Sequence, residues 1–370
     1  NHNEDKNFNS VILHVVFEHN GNYPYTINEN GEKIEILEIK DYFDDDISKL
    51  LKRYNQSPIP EKTRKCKLFQ ELTEESLKAI LFTFGKSRLE KKLKRMGAEL
   101  FFSDFDQLVY QGIFKALGYS KNKFNFLKLA NHLKYAQLKK AHNNGMTKEE
   151  MVSVFLVSSG LIEHLPKNLS QEQKNKWISL YSAQSYFSKK FEITWTFFRL
   201  RPSNHPVTRM LQISNPLYKS FQSSIFRNIL AAFSFPKNKI GISKLLHNIT
   251  EILKIDSIYL AKQNNLGQSR IKVICLNIIL PLVILYSRKM SFKDLELTSI
   301  KLFKEFPGLP QNHINRKMKD LLKKEQKIII NKKAIYQQGL HKIYLDYCKL
   351  HECSLCKKAV KEVLEKKSEI

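Results

Sequence analysis

Glycine and proline are scarce in this sequence, with 12 glycines and 11 prolines among 370 residues. Both residues mark tight turns, and proline also ends helices. Their scarcity argues against a chain of many short, tightly turned elements and predicts long helices. Hydrophobic residues make up 42% and aromatic residues 11%, which excludes a largely disordered chain. The length allows two or three domains with a sizeable core.

Signals for secretion and membrane insertion are also missing. Residues 1–10 are polar, and no initiating methionine is present, which predicts a fragment or a processed product. The longest apolar run, Val273–Tyr286, has 14 residues and is interrupted by Asn277 and Pro281. It is too short and too broken to cross a bilayer, so it predicts a buried helix. With five cysteines and no secretion signal, we expect a cytoplasmic protein with reduced thiols and no membrane partner.

Acidic residues are few relative to basic ones. The chain has 62 Lys and Arg against 36 Asp and Glu, a formal charge of +26. Such an excess favours polyanionic partners, above all DNA or RNA, through counterion release. The alternative is a lysine-rich composition that makes an ordinary protein basic, as the abundance of Lys, Asn and Ile also indicates.

Two stretches near the N-terminus predict a small β region. Val11–Phe17 is apolar and β-branched, which is typical of a strand buried on both faces, and Lys33–Ile39 alternates like a half-buried strand. Asp44–Tyr54 then predicts a short helix, and the rest of the chain has a helical pattern. The predicted fold class is therefore α+β, mainly α. The predicted domains are 1–56, an incomplete β/α region, 57–190, a helical region with a basic helix, and 191–370, a second helical region.

Hydrophobic periodicity and end signals place the later helices. Ser103 is the predicted N-cap of the helix that starts at Asp104. The predicted helices are Glu74–Leu100, Asp104–Leu117, Lys123–Ala141, Lys148–Ser159, Gln171–Lys190, Pro216–Phe233, Ile242–Leu253, Ser269–Arg288, Phe292–Phe303, Asn312–Lys324 and Lys332–Tyr347.

The stretch Thr194–Gln212 carries the clearest binding signal. Arg199 and Arg201 are two apart, so on an extended segment both point to one side. Pro202 favours that extended backbone, and Pro206 suits the first turn of a new helix. Arg209 then lies near a helix N-terminus, which favours anions. We predict that Arg199, Arg201, Asn204 and Arg209 bind phosphate; the alternative is that the arginines pair with carboxylates.

A basic helix provides a second candidate for nucleic-acid contacts. Lys86–Arg95 includes Arg88 and Lys92 and holds six basic residues and one acid, and Asn315–Lys333 is similarly basic. If these faces share a side with the arginine stretch, they form an electrostatic groove in which Phe197, Phe198 and Tyr218 stack on bases. The alternative is that they are solvated helix faces.

Four of the cysteines have a metal-site spacing. Cys348, Cys353 and Cys356 follow a C-x4-C-x2-C pattern, and Cys66 stands far upstream. Four thiolates with this spacing fit an iron–sulfur cluster and equally fit zinc. The alternative is a group of free thiols. Cys275 lies in the apolar run and is expected in the core.

Weaker signals concern catalysis. Glu38 and Lys40 share one side at the end of a strand, where they could hold a divalent cation and a scissile phosphate. The alternative, which this weak signal favours, is a solvated strand end. His14, with His2 and Asp5 upstream, is either a core histidine or part of a metal or acid–base site.

Several of these stretches together resemble a bacterial family, domain of unknown function 2851. The resemblance rests on VILHVV at 11–16, LEIK at 37–40, the Trp/Arg/Pro stretch at 195–209, and YC-x4-C-x2-C at 347–356. It implies an N-terminal region, preceding this chain, with motifs similar to those of restriction-endonuclease-like nucleases, so that the β region is part of such a core. It also implies a cysteine staple similar to the iron–sulfur staple of some exonucleases.

Two functions follow as expectations. The first is a nucleic-acid-binding protein related to a metal-dependent nuclease, inactive in this truncated form. The second is a non-catalytic helical scaffold that binds a protein partner, in which Arg199 and Arg201 are buried against acidic side chains.

Overall fold

The computed structural model describes residues 4, 8–9, 11–42, 66–166, 169–184, 187, 191–233, 240–254 and 266–368. His2, Asp5 and the predicted helix Asp44–Tyr54 lie outside the described residues. The chain divides into two compact units, Asn1–Arg64 with Lys349–Glu352, and Lys65–Cys348 with Cys353–Ile370. The division of the helical part at residue 190 stays a prediction.

The described part of the first unit is a three-stranded sheet in the order β1-β3-β2. Its strands are β1 (His14–Val16), β2 (Tyr25–Ile27) and β3 (Lys33–Glu38). β1 runs parallel to β3, and β2 runs antiparallel to it. The Asn28 carboxamide oxygen accepts hydrogen bonds from the Asn30 and Glu32 amides and so shapes the turn that joins β2 to β3.

The apolar stretch around β1 is not buried, contrary to the sequence prediction. Ile12 is 92% exposed, Val15 is 50% exposed, and His14 is exposed as well. β1 is an edge strand of a small sheet, and one buried apolar side chain, Ile34 of β3, lies among the described residues of this unit. The half-buried pattern predicted for the later strand is confirmed by β3.

The second unit is helical, and one apolar core runs through most of it. A smaller apolar cluster joins its first helices to its last. The helices are α1 (Lys67–Glu71), α2 (Glu74–Glu99), α3 (Phe105–Leu117), α4 (Lys123–His132), α5 (Tyr135–Asn143), α6 (Lys148–Ser158), α7 (Gln171–Ser182), α8 (Pro206–Ser220), α9 (Ile225–Ala231), α10 (Ile242–Ile252), α11 (Gln268–Ile274), α12 (Leu280–Lys289), α13 (Lys293–Glu305), α14 (His313–Asp320), α15 (Lys324–Lys332), α16 (Ala334–Asp346) and α17 (Cys353–Ser368).

Several helix ends differ from the prediction. The helix predicted over Lys123–Ala141 is broken at Leu133 and Lys134, where the Gln137 side chain accepts the Lys134 amide and starts a new helix. The Asp104 carboxylate, rather than Ser103, caps α3 by accepting the Gln107 amide at 2.7 Å.

The helix predicted to start at Pro216 is also different. α8 begins at Pro206, as the proline pattern predicts, and continues through Pro216 to Ser220. Nearly every residue of α8 is buried. Tertiary packing therefore holds the helix together across a proline that removes one of its hydrogen bonds.

The long apolar helix spans Gln268–Lys289 and contains a π-turn at Cys275–Ile279 between α11 and α12. It is long and apolar enough to cross a membrane by length and composition, but 67% of its apolar window is buried inside the protein. That burial agrees with the predicted core helix, and Cys275 lies in the core as expected.

Two glycines allow close contact between α2 and α16. A Cβ atom on Gly339 would lie 2.1 Å from the carbonyl oxygen of Leu81, and one on Gly85 would lie 2.4 Å from that of Ile335. Each glycine therefore faces the backbone of the other helix. No larger side chain fits at either position without moving the two helices apart.

Candidate nucleic-acid interface

An extended segment, residues 191–198, crosses the start of α4. Its side chains alternate: those of Ile193, Trp195 and Phe197 are at least partly buried, and the even-numbered ones are exposed. The Trp195 indole donates to the carbonyl oxygen of Ser159 at 2.8 Å. The burial of its side chains thus alternates as in a β-strand, although the segment lies against a helix and not against another strand.

Side chains around the start of α4 hold the backbone of this segment. The carbonyl oxygen of every second residue accepts a hydrogen bond from one of them. The four pairs are Lys128 with Glu192 at 3.2 Å, Asn125 with Thr194 at 2.8 Å, Asn122 with Thr196 at 2.8 Å, and Lys121 with Phe198. The buried Asn122 carboxamide also accepts the Thr196 amide at 2.9 Å. These contacts satisfy backbone hydrogen-bonding groups of a segment that pairs with no described strand.

The arginine stretch is only partly as predicted. Arg201 is extended before Pro202, but Arg199 has a φ of 52°, so the segment turns there and the shared-side prediction does not hold. Both side chains are exposed, and neither pairs with a described carboxylate. The expectation that Arg199 and Arg201 are buried against acidic side chains is therefore wrong.

Arg209 is buried, at 4% exposure, one turn into α8. Its guanidinium donates to Asn204 at 2.7 Å, to the Tyr119 hydroxyl at 2.8 Å and to Gln212 at 2.8 Å. Arg270 lies over the Tyr119 ring, 3.4 Å from its centroid. Burial lowers the pKa of Arg209, the Tyr119 hydroxyl raises it, and the charge of Arg270 lowers it further.

This pair of guanidinium groups has unused hydrogen-bonding capacity. The Nε atoms of Arg209 and Arg270 are buried without a hydrogen-bond partner. Among the described residues, no carboxylate pairs with either arginine. Two neighbouring positive charges with free donors form a favourable place for an anion.

Further basic side chains connect this region to α2. Burial lowers the pKa of Lys115, and the charges of Arg95 and Lys123 lower it further. Burial, Arg88 and Arg95 likewise lower the pKa of Lys92 to about 7. Glu99 pairs with Arg95 at 3.5 Å and raises the pKa of Lys115. Basic groups therefore run from the middle of α2 to the start of α4; we call this set (Arg88, Lys92, Arg95, Lys115 and Lys123) the basic track.

Two exposed phenylalanines lie next to these cations. Phe124 is 62% exposed, with the ammonium groups of Lys123 and Lys115 at 4.6 and 5.7 Å from its ring centroid. Phe198 is 70% exposed, with Arg199 at 4.9 Å and Lys121 at 5.6 Å. Rings in this position present an open face to a base while cations attract the backbone of the strand.

The sequence predicted a different set of stacking residues. Phe198 is exposed as expected, but Phe197 packs between His164 and His205, and the Tyr218 hydroxyl donates to the carbonyl oxygen of Met146. Phe124 was missed. Its signal in the sequence was the clustering of two lysines and two phenylalanines at 121–126.

Arg88 and Lys92 are half-buried and engaged with other helices. The Arg88 Nε donates to Gln338 of α16 at 2.8 Å. The Lys92 ammonium donates to the side chain and the backbone of Asn277 at 2.9 and 3.3 Å. The basic stretch at 315–333 is also partly internal, since Asn315 and Lys319 are buried.

The four predicted metal ligands lie near one another, but the described side chains do not have the arrangement of a metal site. Burial raises the pKa of Cys348 to about 12, and the thiols of Cys356, Cys66 and Cys353 contribute. Burial, Cys66 and Cys353 raise the pKa of Cys356 to about 11. In the described part of the chain, however, no three Cys, His, Asp or Glu side chains are placed to hold one ion.

The predicted catalytic residues lie on the edge strand β1 and at the C-terminal end of the central strand β3. Glu38 ends β3 opposite Val16, and the Lys40 ammonium pairs with Glu18 at 2.5 Å. His14 is exposed and stands opposite Ile36. The catalytic role of these three side chains stays a prediction.

Comparison with known proteins gives one match. A family model described as "Protein of unknown function (DUF2851)" matches residues 1–312. The match includes the sheet, the extended segment and the basic track, whereas Cys348, Cys353 and Cys356 lie beyond it. No curated protein and no solved structure matches the chain.

Proposed function

Because the chain belongs to the DUF2851 family of proteins of unknown function, we propose its function from its own surface: it binds single-stranded DNA or RNA. Bases stack on Phe124 and Phe198, and the basic track with Arg199 and Arg201 holds the phosphates. Arg209 and Arg270, with Asn204 and Tyr119, hold one phosphate more deeply. We also propose that binding takes place in the cytoplasm.

The observation that carries this proposal is the pairing of exposed rings with cations at Phe124 and Phe198. Exposed aromatics with adjacent positive charge are what a sequence-tolerant single-strand site requires, since every base offers a face for stacking. The formal charge of +26 adds a long-range attraction for any polyanion.

Removing the two rings should weaken binding more than removing any single charge. We expect Phe124→Ala/Phe198→Ala to lower the affinity for a fluorescent single-stranded oligonucleotide at least about thirtyfold, because each stacked base contributes roughly 1–3 kcal/mol. Fluorescence anisotropy at several salt concentrations measures the affinity and the salt dependence. The slope with salt should stay nearly unchanged, since the rings carry no charge.

Phe292→Ala is the matched control, because this ring is 50% exposed at the N-cap of α13 and has no described cation over it. Its affinity should equal that of the unaltered chain. If the unaltered chain has no salt-dependent affinity for DNA or RNA at low ionic strength, the proposal fails and the protein-binding scaffold becomes the better description. The relation to a metal-dependent nuclease is part of the same proposal and rests on the resemblance alone.

We also propose that Cys66, Cys348, Cys353 and Cys356 hold a structural metal, either zinc or an iron–sulfur cluster. The support is their spacing and their proximity. The raised pKa values favour neutral thiols, so a bound cation would have to displace their protons. When bound, the metal would join the start of α1 to the start of α17.

Metal analysis of anaerobically purified protein tests this proposal. We expect about one zinc ion or one cluster per chain, absorbing visibly in the second case, and its loss in Cys353→Ser. Cys275→Ser should keep the metal, since that thiol lies in the apolar core. If the purified chain is folded but contains no metal, the proposal is wrong and the four cysteines are packing residues.

A further inference from the structure

Two helices place an arginine of their first turn on the ring of Tyr119. Arg209 belongs to α8, and Arg270 belongs to α11, with which the long apolar helix begins. The guanidinium carbon of Arg209 lies 5.2 Å from the centroid of the Tyr119 ring, and that of Arg270 lies 3.4 Å from it. The starts of two helices and two positive side chains therefore lie around one tyrosine.

These two helix starts carry no negative charge of their own. Among the described residues, no side chain caps the N-terminus of α8 or of α11, and neither first turn contains an Asp or Glu. Unpaired amide groups give a helix start a partial positive charge of about half a unit. The two arginines add to this charge instead of offsetting it. The arrangement therefore favours an anion with more than one negative charge.

Several hydrogen-bond donors at this site have no partner in the described part of the chain. Arg209 is 4% exposed, and its Nε is buried without a hydrogen-bond partner. The Nε of Arg270 is likewise buried and unpaired. The Tyr119 hydroxyl accepts a hydrogen bond from Arg209 at 2.8 Å, so its own proton is available to another acceptor. Buried donors without partners in a native protein point to a bound ion or water.

The site is open to solvent at the start of α11. Gly267, Gln268 and Ser269 are exposed, and Arg270 is half-buried. A methyl group added to Gly267 would meet no atom within 4 Å. A ligand therefore has room to approach Arg270 from this side, and the buried Arg209 lies deeper.

We propose that this site binds a phosphate monoester, which occurs at the end of a nucleic-acid strand or on a free nucleotide, in preference to the phosphodiesters inside a strand. A monoester carries a charge of roughly −1.5 to −2 at neutral pH, which two guanidinium groups offset, whereas a phosphodiester carries a single charge. Arg270 and the Tyr119 hydroxyl donate to the phosphate oxygens. Asn204 donates through its amide nitrogen, since its Oδ1 accepts a hydrogen bond from Arg209 at 2.7 Å. Binding of a strand end rests on the proposed function, and binding of a free nucleotide does not.

Burial gives a second reason for this preference. A phosphodiester is bonded to a sugar on each side, so a strand that passes over the site needs an open path on both sides of the phosphate. Arg209 and its partner Gln212 are buried, so a passing strand is limited to Arg270. A terminal phosphate is bonded to a sugar on one side only and turns its free oxygens inward, towards both arginines.

Fluorescence anisotropy with one single-stranded oligonucleotide in three forms tests the proposal on the full chain. One form has a 5′-phosphate, one has a 3′-phosphate, and one has a hydroxyl group at each end; all carry the same internal fluorophore. We expect a phosphate at one of the two ends to raise the affinity about tenfold to a hundredfold, the range that hydrogen bonds to charged groups typically supply. Calorimetry with adenosine 5′-monophosphate, and with adenosine as its control, measures the binding of a free nucleotide.

Arg270→Gln should bind all three forms equally, because the site has lost its accessible guanidinium group. Ser269→Asp should do the same, because its carboxylate gives the site a negative charge of its own. Ser269 is exposed, and an acid in the first turn stabilises a helix, so this variant decides the question even if Arg270→Gln does not fold.

Arg227→Gln is the matched control. Arg227 is an exposed arginine in the first turn of α9, and there Ser224 caps the helix by accepting the Arg227 amide at 3.0 Å. This variant should keep the preference for a terminal phosphate in full.

Equal affinity for the three forms, with no binding of adenosine 5′-monophosphate, would overturn this inference and leave the proposed function in place. A preference that survives both Arg270→Gln and Ser269→Asp would overturn it as well. A preference that both variants abolish would support a strand end as the source of the monoester. A chain that binds no single strand but binds adenosine 5′-monophosphate through Arg270 would refute the proposed function and support a free nucleotide as the source.

Discussion

Gly339→Ala is expected to destabilise the helical unit by about 3 kcal/mol, because the added methyl group would overlap the Leu81 carbonyl oxygen of α2. The overlap is with backbone, so rotating a side chain cannot relieve it. In an open helix the same change stabilises by up to about 1 kcal/mol. The predicted effect therefore has the opposite sign to helix propensity. Urea denaturation followed by circular dichroism measures it.

Gly97→Ala provides the control on α2. Its new Cβ would contact only the Leu285 Cδ1 atom at 3.8 Å, an ordinary distance. This variant should be as stable as the unaltered chain or slightly more stable. Equal stability of Gly339→Ala and Gly97→Ala would mean that α2 and α16 do not meet at Gly339.

Asn122→Ala should release the extended segment from α4. The Asn122 side chain makes both a donor and an acceptor contact with the backbone of Thr196. Losing them leaves two polar groups without partners, a destabilisation of about 2–3 kcal/mol. Hydrogen exchange should show faster exchange of the Thr196 amide. Affinity for single strands should fall in parallel, since Phe198 belongs to the same segment.

Asn125→Ala is the milder counterpart. Asn125 makes one exposed hydrogen bond to the segment, at Thr194, and a second to the Asn122 Oδ1 at 3.0 Å, and its loss leaves both Asn122–Thr196 bonds in place. We expect it to destabilise by about 1 kcal/mol or less. If the two variants change Thr196 exchange equally, the Asn122 carboxamide is not the main attachment of the segment.

The sequence predicts elements whose signals are local. α2 was predicted over Glu74–Leu100 and ends at Glu99, because an acidic first turn and a regular apolar face mark it. The break at Leu133 was invisible, since the apolar spacing continues across it. The exposure of β1 could not be read from its composition, because burial depends on what covers a strand.

The candidate nucleic-acid interface was likewise predictable only where its signals are local in the sequence. Pro206 and Arg209 marked a helix start and a basic residue near it, and Asn204 proved to be its partner. Tyr119 lies 90 positions from Arg209, and such a contact leaves no periodic trace in the sequence. The positive φ of Arg199 likewise has no signal in the sequence, because arginine rarely adopts that conformation.

The packing of α2 against α16 also has a consequence for folding during synthesis on the ribosome. Arg88 and Gln338, which meet across it, are 250 positions apart. At roughly 5–20 residues per second, a ribosome needs about 10–50 s to make that length of chain. During this time the apolar face of α2 has been made but its partner has not. We expect this part of the nascent chain to depend on chaperones until the last helices emerge.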